Sequence, residues 1–216
     1  MRKRKPGRPR IKKKHKSSVY NPVDVLKTRR ELEALKMAAQ KSLRDLAYIA
    51  LALNTGYRCG DLLSLKVGDV VSGTTTTRIQ IVRTLDRREQ KTGWGNIRQL
   101  GYKPRNALHD YLLTRLPLKR DEPLFLSRQR DKDGNLKAIS LDQINLSLSR
   151  YAEKAGIFKR IRSHSLRKTF GYFAYKECED IAKVQALFGH AKSEDTLRYI
   201  GIEQENLGDL TSSLEL

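Results

Sequence analysis

Six side chains scattered along this chain belong to the types that chemistry at a phosphodiester would need. They are two arginines, a lysine, two histidines and a tyrosine: Arg58, Arg167, Lys91, His164, His190 and Tyr199. A phenol that attacks an anionic phosphate needs fixed cations on the non-bridging oxygens, a base near its own oxygen and an acid near the leaving oxygen. Arginine suits the first role, because its planar fork matches phosphate and keeps its charge, and lysine suits the last.

The sequence around these residues predicts suitable local structure, although none of them is decisive alone. Arg58 follows a glycine turn and precedes a helix, where backbone N–H groups favour an anion. Lys91 lies at a predicted hairpin turn, and His164 and Arg167, three positions apart, share one face of a helix. Taken singly, such an arginine is usually a solvated charge, and a tyrosine usually packs. The complete ordered set is what favours a catalytic site.

The charge of the chain favours a polyanionic partner, most simply nucleic acid. Its 216 residues contain 44 Lys and Arg against 24 Asp and Glu, a formal net charge of +20. The longest apolar run, Leu46–Leu53, is too short to span a bilayer, and no signal peptide is visible. The two cysteines make neither a disulfide framework nor a metal-ligand spacing. We therefore expect a cytoplasmic, nucleoid-associated protein with no membrane partner.

Residues 1–20 are predicted to form a disordered basic arm, because a block of cations without acidic residues cannot bury a core. Within it, KPGRPRIK is similar to an AT-hook, whose prolines keep the backbone extended while arginines enter a narrow A·T minor groove. The alternative is an arm that binds phosphates without sequence preference. Both interpretations make the same residues DNA-binding candidates: Arg8, Arg10, Lys12, Lys13 and Lys14.

The remainder is predicted to be mainly α with one small antiparallel sheet, an α+β fold. A first helix is expected to enter at a Pro-Asp pair, with an apolar face made of Val25, Leu32, Leu35 and Met37. A second helix has Ser42 as its N-cap and Gly56 as its stop, and CGDLLSLKVGD predicts a third. Strands around a turn are expected in TTTTRIQIVRTLD and REQKTGWGNIRQL, with another in LFLSR. Further helices are predicted over KPRNALHDYLLTRL and residues 140–155, 165–177, 179–188, 194–200 and 203–214.

Four motifs of the chain resemble the catalytic domain of the tyrosine recombinases, the phage integrase family. TGYRCGDLLSLKVGDV is similar to the first arginine box of that family, and EQKTG to its lysine-bearing β-hairpin. HSLRKTF is similar to its H-x-L-R box, and LFGHAKSEDTLRYIG to its Gly-His and Tyr ending. The resemblance covers about residues 21–202 and implies a catalytic domain with the fold of that family there.

The resemblance also implies a role for each candidate residue. Arg58 and Arg167 would clamp the scissile phosphate of double-stranded DNA, and Lys91 would protonate the leaving 5′ oxygen. His164 would assist proton transfer at the nucleophile, and His190 would hydrogen-bond a phosphate oxygen.

Tyr199 would attack the phosphorus and hold a 3′-phosphotyrosyl link. That link stores the energy of the broken phosphodiester, so rejoining would need no ATP. The arginines would balance the negative charge of the phosphate without a metal. No cofactor is therefore expected. The activity implied is site-specific DNA recombination or integration by a protein of a mobile element.

Several positions depart from the pattern of the family. Asp61 stands where Glu is frequent, Lys168 where His is frequent, and Phe188 where Leu is usual. The chain also resembles short members that consist of the catalytic domain alone, with the basic arm partly replacing a missing clamp. Residues 203–216 carry one apolar stripe and are expected to form a helix. The helix would fold back on its own domain or dock on a neighbouring protomer in a dimer or tetramer on DNA.

Two other functions remain compatible with the sequence. A non-catalytic architectural protein could use the basic arm and a decayed recombinase fold, although every catalytic position still holds a competent residue. A type IB topoisomerase-like enzyme would share the nicking and sealing chemistry, although the Gly-His motif and the His-to-Tyr spacing are more similar to those of recombinases.

Overall fold

The computed structural model describes residues 23–75, 78–89, 93, 95–190 and 192–202. Within these residues nine helices are joined by four short strands: α1 (Arg29–Ala39), α2 (Leu43–Thr55), α3 (Cys59–Leu63), α4 (Val67–Val70), β1 (Val71–Thr74), β2 (Ile79–Ile81), β3 (Thr84–Arg88), β4 (Gly95–Gln99), α5 (Tyr102–Leu113), α6 (Leu141–Lys154), α7 (Ser163–Cys178), α8 (Ile181–Phe188) and α9 (Ser193–Ile200). The predicted mainly helical α+β fold is confirmed. The strands form two separate antiparallel pairs, β1–β2 and β3–β4, rather than one sheet.

The ends of the first two helices follow from local hydrogen bonds. Ser42 accepts a hydrogen bond from the Asp45 amide at the start of α2, and Gly56 ends that helix at φ 63°, as predicted. The predicted Pro-Asp entry to α1 is wrong, because Thr28 and Glu31 form a capping box that starts the helix at Arg29.

The apolar face predicted for α1 is correct only in part. Leu32 and Leu35 are buried on the helix, and Val25 is buried in the extended segment that precedes it. Met37, by contrast, is 61% exposed, so it does not belong to the core.

The single helix predicted over CGDLLSLKVGD is interrupted between α3 and α4. The Leu65 carbonyl accepts a hydrogen bond from the Leu124 amide, and the Val67 amide donates to the Glu122 carbonyl. These long-range bonds replace helical ones and bend the chain. The strand predicted in LFLSR is also wrong, since the described residues there form only an isolated bridge between Leu126 and Ala138.

Helix α2 is the centre of the main core and packs against both α5 and α7. Its buried side chains include Tyr48, whose ring meets Phe125 edge-on. A second, smaller cluster joins Val184, Phe188 and Ile200. This cluster attaches α8 and α9 to α7, and so places the end of the described chain beside the helix that bears the H-x-L-R motif.

The β3–β4 hairpin reaches the same region. Its register runs from Thr84 opposite Gln99 to Arg88 opposite Gly95. The buried Tyr57 hydroxyl donates to the Leu85 carbonyl at 2.8 Å and thereby ties the hairpin to the segment just before α3. Among the described helices, none is both long and apolar enough to cross a membrane.

Candidate active site

The two predicted arginines lie together, joined by a buried carboxylate. Arg58 is the N-cap residue of α3, and Arg167 is on α7. The Arg167 Nη1 donates to Glu89 Oε1 at 2.8 Å, and the Arg58 Nη1 contacts the other oxygen of the same carboxylate. The fold therefore brings together two cations that are 109 residues apart in the sequence.

Arg167 is held by main-chain carbonyls as well as by Glu89. Its Nη1 donates to the Gly56 carbonyl at 2.8 Å, and its guanidinium lies 4.6 Å from the centre of the Phe188 ring. The Arg167 side chain is 2% exposed, against 25% for Arg58. Desolvation by burial lowers the pKa of both guanidinium groups, but arginine stays charged at any physiological pH.

Tyr199 places its hydroxyl at this arginine pair. The hydroxyl lies 3.4 Å from His164 Nδ1 and interacts electrostatically with the Arg167 guanidinium. The tyrosine ring is half-buried and meets the rings of His164 and His190 edge-on, each at 5.1 Å between centroids. A phenol oxygen and an imidazole nitrogen thus face each other in the field of a guanidinium group.

The imidazole of His164 is suited to accept a proton. Its pKa is lowered to about 4, first by desolvation and then by four nearby cationic or titratable side chains: Lys168, Arg167, Arg58 and His190. Its surface remains open to solvent, so a substrate can reach it. At neutral pH the ring is therefore uncharged and can present a lone pair to the Tyr199 hydroxyl.

This depressed pKa predicts a pH dependence of stability. Between about pH 6.5 and pH 4 the unfolded state binds the His164 proton and the folded state does not. The contribution of this pKa shift to the free energy of unfolding is fully present above pH 6.5 and is lost as the pH falls towards 4. We expect His164→Asn to flatten the rise of the free energy of unfolding across that interval. Chemical denaturation of both proteins at several pH values measures this free energy. If it changed with pH equally in both proteins, the lowered pKa of His164 would be contradicted.

His190 has one ring nitrogen engaged within the protein. Its Nδ1 lies 3.1 Å from the Thr196 hydroxyl, which itself donates to the Lys192 carbonyl at 3.2 Å. Because that hydroxyl has one proton, the bond requires His190 to donate from Nδ1. Burial is the first cause of its lowered pKa. Nε2 is then the nitrogen left to meet a phosphate, and it becomes a donor when the ring is protonated.

The residues that depart from the family pattern also lie at the site. Asp61 is buried, and its charge raises the pKa of both Arg58 and Arg167. Lys168 donates to the Val23 carbonyl at 3.2 Å and lies 5.7 Å from the centre of the Tyr199 ring. Asp61 therefore acts as an electrostatic partner of the arginines despite its shorter side chain.

Sequence reasoning did not identify Glu89, although it is the first residue of the quoted motif EQKTG. Its signal was a carboxylate two positions before the predicted catalytic lysine. Lys91 itself, the arm candidates Arg8, Arg10, Lys12, Lys13 and Lys14, and the tail helix predicted over 203–214 lie outside the described residues. In the described part of the chain, no three His, Cys, Asp or Glu side chains are grouped to hold a metal ion.

Arg98 of β4, also missed, joins the two halves of the site. Its Nε donates to the Thr55 carbonyl at 2.9 Å, and its Nη2 donates to the Leu187 carbonyl at 2.6 Å. These carbonyls lie at the C-terminal ends of α2 and α8, where helical partners are missing. One side chain therefore holds the segment that leads to Arg58 against the segment that leads to His190.

Replacing Arg98 by Met should loosen this junction. We expect a loss of about 2–4 kcal/mol in the free energy of unfolding, because two charge-assisted hydrogen bonds disappear and leave carbonyls without them. Urea denaturation measures the loss. Arg150→Met, at an exposed position on α6, is the matched control and should cost less than about 0.5 kcal/mol. Equal losses would show that Arg98 does not make this junction.

Comparison with known proteins identifies the family of this fold and site. The model of the phage integrase family matches residues 26–206. "Probable integrase/recombinase YoeC" of Bacillus subtilis is 30% identical over 181 residues, which cover 82% of this chain and 90% of that protein. "Tyrosine recombinase XerC" of Haemophilus ducreyi is 26% identical over 172 residues, or 78% of this chain and 51% of that protein. The chain thus spans about half the length of XerC.

Solved structures with the same fold are named recombinases or integrases. The crystal structure of XerA recombinase superposes with a TM-score of 0.67 at 24% identity, over 92% of this chain and 66% of that one. The lambda integrase catalytic core gives a TM-score of 0.55 at 21% identity, over 78% and 92% of the two chains. The family model covers most of the sequence, including every described residue of the candidate site. The chain belongs to the phage integrase family, the tyrosine recombinases.

Proposed function

We propose that this chain is a site-specific DNA recombinase that cleaves and rejoins strands through a covalent 3′-phosphotyrosyl link on Tyr199. The observation that carries the proposal is the contact of the Tyr199 hydroxyl with His164 Nδ1, at a position where the hydroxyl also interacts electrostatically with the Arg167 guanidinium. That contact unites a nucleophile, a base and an anion-binding group. Related structures support DNA as the substrate: one is XerH recombinase bound to a palindromic difH substrate in a post-cleavage complex, and another is a lambda integrase dimer bound to a core site.

In the proposed cleavage step the Tyr199 oxygen forms a bond to the phosphorus while the bond from phosphorus to the 5′ oxygen breaks. His164 takes the phenol proton at Nδ1, and Lys91 gives a proton to the departing 5′ oxygen. Arg58 and Arg167 hold the negative charge that spreads over the non-bridging oxygens. His190, when its ring is protonated, supplies a further hydrogen bond from Nε2.

Rejoining is the reverse reaction with a different 5′ hydroxyl. That hydroxyl gives its proton to Lys91 as it attacks the phosphotyrosyl phosphorus, and the released tyrosine recovers its proton from His164. One phosphodiester is exchanged for another through a link of similar energy, so ATP is not required. The guanidinium groups provide the positive charge at the phosphate, so the proposed reaction does not depend on a metal ion.

The proposed partners are double-stranded DNA and further copies of this chain. The basic arm over residues 1–20, with its AT-hook-like centre, would add phosphate contacts beside the catalytic domain over 21–202. The helix predicted over residues 203–216 would join protomers in a dimer or tetramer. Such a protein would work on the nucleoid in the cytoplasm.

A nicked duplex tests this function directly. DNA tiled across the region flanking the gene carries a nick just beyond each candidate site. The short fragment that bears the freed 5′ hydroxyl then diffuses away, and the covalent complex accumulates. We expect a protein–DNA adduct on denaturing gels in EDTA and without ATP, and none with Tyr199→Phe. DNA binding without any adduct would favour the architectural alternative. Relaxation of supercoils without exchange between sites would favour the topoisomerase-like one.

A further inference from the structure

The carboxylate of Glu89 makes the contacts that the proposed function assigns to a DNA phosphate. One of its oxygens accepts from Arg167 and the other contacts Arg58. Guanidinium groups bind carboxylate and phosphate oxygens with the same geometry, since both anions offer two oxygens to a planar fork. We call the space between these two guanidinium groups the anion seat.

The charges around the anion seat are already balanced. Arg58 and Arg167 contribute two positive charges, and the buried carboxylates of Glu89 and Asp61 contribute two negative ones. A phosphodiester that joined all four would add a third negative charge beside the two guanidinium groups, where the Glu89 carboxylate would repel it. If the phosphodiester instead replaces the Glu89 carboxylate, the balance is kept.

Burial shows that the anion seat is closed in this structure. The side chains of Glu89 and Arg167 are 0% and 2% exposed, so a phosphate on a DNA surface has no route to the Arg167 guanidinium while both stay in place. Glu89 directly follows β3 and lies outside the paired residues of the hairpin. Arg167, in contrast, is held by the carbonyls of Gly56 and Phe188.

We propose that Glu89 occupies the anion seat between Arg58 and Arg167 in the absence of DNA, and that the scissile phosphate must displace it before cleavage. The identity of this ligand rests on the proposed function. Glu89 is then an internal competitor of the substrate. Only a phosphate held firmly enough by the rest of the DNA interface would expel it, which would favour cleavage at a fully bound site.

Sulfate binding tests the proposal without any covalent step. Glu89→Gln keeps the shape of the side chain and removes its charge, so sulfate no longer competes with a carboxylate. We expect the affinity for sulfate, measured by calorimetry at constant ionic strength, to rise about tenfold or more over that of the natural protein. Glu89→Asp, which keeps the charge but is too short to bridge both arginines, should show a smaller rise.

Two controls locate the effect. Glu122→Gln removes a carboxylate that pairs with Arg115 at 3.1 Å elsewhere in the fold, and it should leave sulfate affinity unchanged. Adding Arg58→Gln to Glu89→Gln should abolish the gain. A sulfate affinity of Glu89→Gln equal to or below that of the natural protein would overturn the proposal, as would a gain that survives the loss of Arg58.

A saturating DNA duplex distinguishes the two sources of the anion. If the phosphodiester takes the anion seat, the duplex should abolish sulfate binding to Glu89→Gln. Sulfate binding that persists beneath bound duplex would instead indicate a free-anion site and would refute the assignment to DNA. The sulfate titrations do not depend on formation of a covalent adduct. A failure of the proposed cleavage reaction would therefore appear in the nicked-duplex experiment and not in the sulfate affinities.

Discussion

Replacement of Arg167 by lysine is expected to lower the rate of DNA cleavage about 10²–10³-fold, the range seen when one preorganised donor to a transition-state oxygen is lost. Lysine keeps the charge but has one nitrogen, so it cannot hold Glu89 and the Gly56 carbonyl while also meeting Tyr199. The adduct formed on a nicked duplex in a single turnover gives the rate. Circular dichroism confirms that the variant is folded.

The matched control for Arg167→Lys is Arg198→Lys. Arg198 immediately precedes the tyrosine on α9 and is exposed, so the same chemical change should leave the cleavage rate within about twofold. If Arg167→Lys cleaved DNA as fast as the natural protein, the guanidinium fork would not be what binds the phosphate.

Replacement of Gly56 by alanine should have the largest effect on stability, about 2–5 kcal/mol in the free energy of unfolding. Two causes add. Gly56 has φ +63°, which a side chain disfavours, and an added Cβ would lie 2.2 Å from the Phe170 ring. The displaced backbone also carries the carbonyl that binds Arg167, so cleavage should fall as well.

Gly156→Ala separates the two causes. Gly156 has φ +66°, and an added Cβ there meets nothing within 4 Å. The free energy of unfolding of Gly156→Ala should therefore fall only by the backbone cost, about 1–2 kcal/mol. Urea denaturation of both variants measures the difference. If the two losses were equal, the contact with Phe170 would not restrict this position.

The order of helices was predictable where local signals dominate. Ser42 and Gly56 define the limits of α2 because N-caps and left-handed glycines act through hydrogen bonds within a few residues. The break between α3 and α4 was not predictable, since it depends on bonds from Leu65 and Val67 to a segment more than 50 residues away. The hydrophobic periodicity of the local sequence carries no information about hydrogen-bond partners at that distance.

The candidate site was likewise predictable where local motifs define it and not where it depends on long-range contacts. The motifs indicated which arginines, histidines and tyrosine to examine, and the structure brings five of the six candidates together. The contributions of Glu89 and Arg98 were not visible, because a carboxylate or an arginine on a strand gives no periodic signal of what it contacts. Both act through long-range contacts with Arg167 or with helix ends.

The central claim is that Tyr199, one of nine tyrosines in the chain, is the residue that becomes joined to DNA. Protease digestion of the adduct trapped on a nicked duplex, followed by mass spectrometry, measures this directly. We expect a nucleotide on the peptide that contains Tyr199, linked through a 3′ phosphate. A nucleotide on any other residue, or a link through the 5′ phosphate, would contradict it.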